Sequence, residues 1–186
     1  MKKLTHYIVS VVITLIIFTN QLTGQEQDEK INKDLFFSLN CRMTTIDASP
    51  ALLAGLDIGF IFDKRLILGG TITSSTNPLV LQGYEESYNW MVNAGMTMGY
   101  IFEPGKKIHP VLKLNACYGF LFIDNMYSPL YEINPSVLFE INIRERLIFD
   151  FGIGYRANNP LDLYAYKYAY LSGPELVINV KWLLGR

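Results

Sequence analysis

The sequence predicts an all-β protein: an eight-stranded antiparallel up-and-down transmembrane β-barrel preceded by an N-terminal signal peptide. Three observations carry that reading. Beyond the first 20 residues no apolar run is long enough for a spanning helix, although half of the 186 residues are hydrophobic. The remaining chain alternates apolar and polar residues with period two. The connections between these segments alternate between short and longer, and the number of segments is even.

At the N-terminus, Lys2 and Lys3 precede the apolar run YIVSVVITLIIF, residues 7–18, and the polar stretch NQLTGQEQ follows. This is the pattern of a secretory signal peptide, and its core is too short for a comfortable transmembrane helix. Cleavage is expected near Gly24, which makes residues 1–24 the signal, 25–34 a short polar periplasmic segment and 35–186 the barrel. No cysteine follows the apolar run, so a lipoprotein is not indicated.

Eight strands are expected at about 35–45, 51–63, 65–75, 88–102, 108–123, 131–143, 146–157 and 173–184. In the fourth, Trp90, Val92, Ala94, Met96, Met98 and Tyr100 share one face and Asn93, Gly95, Thr97 and Gly99 the other. Strand six sets Tyr131, Ile133, Pro135, Val137, Phe139 and Ile141 against Glu132, Asn134, Ser136 and Glu140. Strand eight sets Leu176, Ile178, Val180 and Trp182 against Glu175, Asn179 and Lys181.

Tight charged turns are expected at Phe62-Asp63-Lys64-Arg65, at EPGKK and at Arg144-Glu145. The other connections, TIDASP, STNPLVLQGYEES, DNMYSP and ANNPLDLYAYKYAYLS, read as longer loops. Short turns at one end and longer loops at the other fit periplasmic turns and extracellular loops.

Alternation alone does not say which face is inside. A soluble barrel or sandwich would present long Lys and Glu side chains on its polar face. Here that face is crowded with glycine and short polar groups, among them Gly55, Gly59, Gly69, Thr71, Gly95, Thr97 and Gly152. Its charges balance, with Arg42, Lys113, Arg146, Arg156 and Lys181 against Asp57, Glu132, Glu140, Asp150 and Glu175. An eight-stranded barrel has room inside only for packed side chains, so ionised groups there must pair. The apolar face carries Trp90, Tyr100, Phe102, Phe60, Phe62, Phe120, Phe122, Tyr155 and Trp182 towards strand ends, as an aromatic girdle requires. The polar face is therefore expected inside and lipid outside. Asp150 then points inward, with Lys181 or Lys113 as its partner.

Over residues 35–184 the chain resembles the small eight-stranded outer-membrane barrels of the A/X type, and the abundance of Tyr and Gly in its strands is similar to those of Bacteroidetes. The likeness is one of architecture, without a diagnostic motif. It implies an outer-membrane location and insertion by the outer-membrane assembly machinery. Such barrels usually end on an aromatic residue, whereas this chain ends Trp182-Leu183-Leu184-Gly185-Arg186: either Trp182 is the aromatic of the assembly signal, or a variant machinery accepts this ending.

Two barrel families of this size modify lipid A through a His and Ser constellation near the outer leaflet. His109, the one histidine after the signal, follows the short turn EPGKK and so faces inward at the wrong end. No enzyme is expected, and no cofactor. One histidine and the distant Cys41 and Cys117 do not make a metal site, and the two cysteines read as free thiols. A narrow pore is an alternative, weakened by the ten charged side chains assigned to a narrow lumen. In the last long connection, Tyr164, Tyr166, Tyr168 and Tyr170 recur at every second residue. They read either as a strand extension carrying an aromatic belt or as a surface that recognises an extracellular ligand, shared with Leu79, Val80, Leu81 and Tyr84. Loss of Lys2 and Lys3 with the signal leaves 14 basic against 17 acidic residues, which argues against nucleic acid as a partner. The expected protein is a monomer in outer-membrane lipid, structural or adhesive through its loops.

Overall fold

The computed structural model describes residues 32–47, 49–80, 89–123, 126–159, 161–163, 166–169 and 171–184, with side chains omitted at Met126 and throughout 161–169. The expected signal peptide lies outside them. Among the described residues ten strands form: β1 Lys33–Ile46, β2 Ser49–Phe62, β3 Leu66–Ser75, β4 Trp90–Ile101, β5 Ile108–Ile123, β6 Met126–Arg144, β7 Leu147–Asn158, β8 Leu161–Leu163, β9 Tyr166–Ala169 and β10 Gly173–Leu184. β1–β7 and β10 close into a barrel of eight antiparallel strands, ordered β1-β10-β7-β6-β5-β4-β3-β2. Closure runs from Leu35↔Leu184 to Thr44↔Glu175. It removes every sheet edge, so backbone N–H and C=O groups find partners within the wall.

The residues that reverse the chain are local. Asp63 and Lys64 both adopt positive φ (47° and 60°), and Arg65 N donates to Phe62 O at 2.9 Å, the primed turn that a twisted hairpin favours. At the next turn, Pro104 and Gly105 occupy the middle and Lys106 N donates to Glu103 O at 3.0 Å. The third turn is Glu145-Arg146 rather than Arg144-Glu145, because a register shift between Asn142 and Arg144 carries β6 one residue further.

Two of the four connections expected to be long are short. β1 and β2 pair out to Ile46↔Ser49, and β5 and β6 to Ile123↔Met126. The apolar alternation of both hairpins simply continues through residues that turn-rich composition had suggested were loop. The two long connections are residues 76–89 and 159–172.

The inward row of each strand forms three layers. At the turn end Phe36, Ile61, Ile67, Ile101, Ile148 and Leu183 pack together. At the loop end a second apolar cluster contains Ile46, Leu53, Met91, Leu121, Ile123 and Leu130, joined by Leu79 and Leu171 from the two long connections. Buried polar and charged groups fill the space between. The wall itself is tightly coiled. A Cβ on Gly59 would lie 2.3 Å from the Leu68 carbonyl oxygen and 2.6 Å from the Cα of Gly69, its ladder partner. Only glycine fits there.

Candidate functional site

The polar layer is organised along one row of ladder partners. His109 stands opposite Glu140, Glu140 opposite Asp150 and Asp150 opposite Asn179, crossing β5, β6, β7 and β10. His109 Nε2 lies 3.0 Å from Glu140 Oε2, and Lys181 Nζ donates to the other Glu140 oxygen. Lys181 also approaches Asp150 Oδ2 at 3.4 Å, and Asn179 donates to that oxygen at 3.2 Å. Asp150 thus sits inside, with Lys181 as its cation.

Two struts cross the lumen. Lys113 on β5 reaches Asp57 on β2 at 2.6 Å, and Asn40 adds a bond of 2.9 Å to the same carboxylate. Arg42 on β1 meets Glu132 on β6 at 3.3 Å, and Asn93 donates to its other oxygen at 2.9 Å. Nearer the loops, Arg156 lies 3.8 Å from Glu175, which also accepts from Asn134. Arg156 further donates to the carbonyls of Leu171 (2.8 Å) and Thr45 (3.2 Å), tying the long connection to the first hairpin.

Of the ten charged residues assigned to the lumen, Arg42, Asp57, Glu132, Glu140, Asp150, Arg156, Glu175 and Lys181 are buried there, and Lys113 nearly so. Arg146 is the exception: it is an exposed turn residue, displaced from the lumen by the one-residue shift in β6. His109 takes its place in the network. The amides of Asn40, Asn93, Asn134 and Asn179, which complete the carboxylates, carried the inward parity but no charge to mark them.

The surface assigned to the loops also changes. Leu79 is buried in the loop-end cluster and is not part of an exposed patch, whereas Val80 is exposed; Leu81 and Tyr84 lie outside the described residues. β8 and β9 pair with each other through Leu161↔Ala169 and Leu163↔Tyr166, as a separate hairpin rather than a prolongation of the barrel wall. Pro160 in the sequence has no N–H with which to continue the β7 ladder. The side chains of Tyr164, Tyr166, Tyr168 and Tyr170 lie outside the description. Cys41 and Cys117 are free, and the described residues contain no cluster of potential metal ligands.

The outer wall is the reverse of the lumen. Ile58, Met96, Leu112, Ile133, Ile153 and Leu176 are all exposed on it. Trp90 stacks on Phe122 with centroids 4.2 Å apart towards the loops, and Tyr100 meets Phe102 edge-on at 4.9 Å towards the turns. The ten residue-to-residue steps from Trp90 to Tyr100 span about 33 Å of strand, or ~25 Å along the axis at a tilt of about 40°, the height of a lipid-facing band. An apolar wall around an ion-paired lumen is stable with hydrocarbon outside and would be costly in water.

The molecule is therefore a closed, eight-stranded transmembrane β-barrel, the fold of the small outer-membrane barrels. Its structure is similar to Neisserial surface protein A, with a TM-score of 0.63 and 11% identity over 84% of this chain and 100% of that one. It is also similar to the N-terminal β-barrel domain of Pseudomonas aeruginosa OprF, with a TM-score of 0.56 and 9% identity over 82% of this chain and 100% of that one. Neither family models nor curated proteins match the sequence.

Proposed function

We propose that the chain is a monomeric outer-membrane barrel with a sealed lumen, and that it acts at the cell surface as a structural or adhesive protein through its loop end. The observation that carries this reading is the burial of Leu79 and Leu171, from the two long connections, among the inward residues of the barrel mouth. Their packing anchors both long connections in the barrel mouth. What the loop end then offers above the membrane is the connection that carries the β8–β9 hairpin and four tyrosines in its sequence, and the tip of the β5–β6 hairpin, where Tyr127 is strongly exposed. Tyrosines offer broad contact area with a polar tip. The ion-paired lumen supports a structural rather than a catalytic role for Glu140, Asp150 and His109: both Glu140 oxygens and both His109 ring nitrogens are engaged, and Asp150 Oδ2 accepts from Lys181 and Asn179.

The test is replacement of residues 161–169 by a short Gly-Ser linker, which keeps Leu171 in place. Cells expressing the parent protein should adhere to matrix-coated surfaces, and the variant should lose that adhesion while remaining a heat-modifiable barrel. Unchanged adhesion would overturn the role of the hairpin. Planar-bilayer recordings of the refolded protein should show no conductance. Discrete channels would favour the pore instead.

A further inference from the structure

We propose that the outer wall carries a binding site for one anionic glycerophospholipid, with its headgroup at Arg65 and its acyl chains in a groove across β3–β7. This rests on the barrel being embedded in lipid with its turn end at the inner leaflet. The groove has a volume of about 690 Å³ and an almost wholly apolar lining that includes Leu66, Tyr100, Leu112, Pro135, Val137 and Ile153. Five strands at ~4.8 Å spacing give it a reach of about 19 Å, comparable to most of an acyl chain.

Along β6 and β7 the paired residues pass from Ile133↔Ala157 to Ser136↔Gly154, and between them Pro135 has no N–H to offer. The groove floor is the backbone of Gly99, Lys113, Ser136 and Gly154, residues of inward parity that present no side chain to the outer wall.

The lower end of the groove is charged. Arg65 directly precedes Leu66, and its Nη1 lies 3.4 Å from the hydroxyl of Tyr100, so the guanidinium is held against a lining residue. The three turns at this end carry Lys64, Arg65, Lys106, Lys107, Arg144 and Arg146 against three acids, Asp63, Glu103 and Glu145. A phosphodiester at the interface would meet a cation fork above a basic rim, with its chains on the apolar wall.

The experiment is native mass spectrometry of the detergent-refolded barrel incubated with phosphatidylglycerol or with phosphatidylethanolamine. The parent protein should retain one phosphatidylglycerol and much less phosphatidylethanolamine. Arg65→Gln should lower phosphatidylglycerol occupancy about fivefold, the worth of one interfacial cation. Val137→Trp should fill the groove and displace both lipids, whereas Leu39→Trp, on β1 opposite β5, should change neither. Equal retention of the two lipids, or indifference to Arg65→Gln and Val137→Trp, would overturn the site while leaving a folded barrel. A protein absent from the membrane fraction and not heat-modifiable would overturn the membrane reading as well.

Discussion

His109 stands directly across the β5–β6 ladder from Glu140, with Nε2 3.0 Å from Oε2, while its Nδ1 donates to the Lys106 carbonyl at 3.0 Å. Both neighbours are acceptors, so a ring protonated at both nitrogens makes both bonds. With Arg146 outside, the polar layer holds Arg42, Lys113, Arg156 and Lys181 against Asp57, Glu132, Glu140, Asp150 and Glu175. Protonated at both nitrogens, His109 brings the cations to five. Asp34, at the turn-end rim, shares its opening with Lys64 and Arg144.

Glu140 is the hinge of that balance, since it accepts from Lys181 and His109 at once. Glu140→Gln keeps the shape and removes the charge, leaving two buried cations with Asp150 alone. Loss of one member of a buried ion pair costs on the order of 3 kcal/mol. The urea midpoint of the refolded barrel should fall accordingly. An unchanged midpoint would show that the network contributes little.

The glycines of the coiled wall separate into two kinds. Gly59→Ala places a Cβ 2.3 Å from a backbone oxygen, and strain of this type costs about 1–3 kcal/mol. Gly70→Ala meets nothing nearer than 3.7 Å and should leave stability within ~0.5 kcal/mol. Folding yields into detergent, compared side by side, check this. Equal yields would count against close strand approach at Gly59.

Much of this architecture was legible because one face of every strand had to choose between lipid and lumen. The expected ranges 108–123 and 173–184 coincide with β5 and β10, where inward and outward residues alternate from end to end. The misplacement of Arg146 has a different origin, since a single bulged residue in β6 shifts the turn without disturbing the alternation on either side. The anchoring of the long connections was hidden for another reason. Leu79 lies in a connection, where no periodicity assigns a face, and only the packing of Leu53, Met91 and Leu121 shows that the mouth has room for it. His109 was visible as an inward residue, but register is needed to set it opposite Glu140.

The loop-end cluster should behave as a true core. Leu121 is fully buried in it, and Leu121→Ala should cost roughly 2–4 kcal/mol through lost transfer energy and the cavity left behind. Leu112, half exposed on the outer wall, has lipid to refill the space, and Leu112→Ala should cost far less. Thermal unfolding in detergent distinguishes them. Similar losses at both sites would contradict the inside-out assignment.

The two cysteines report directly on which face meets lipid. Cys41 lies on β1 between the inward Asn40 and Arg42, is partly exposed and belongs to the outer wall; Cys117 lies on β5, buried in the lumen. In membranes, a lipophilic maleimide should label Cys41 and a charged, water-soluble one should not, because hydrocarbon surrounds that thiol. Cys117 should resist both reagents until the barrel is unfolded, when each labels it fully. The Cys41→Ser and Cys117→Ser variants assign the signals. Rapid labelling of Cys41 by the charged reagent in intact membranes would place the apolar wall in water, and labelling of folded Cys117 would show a lumen open to solutes.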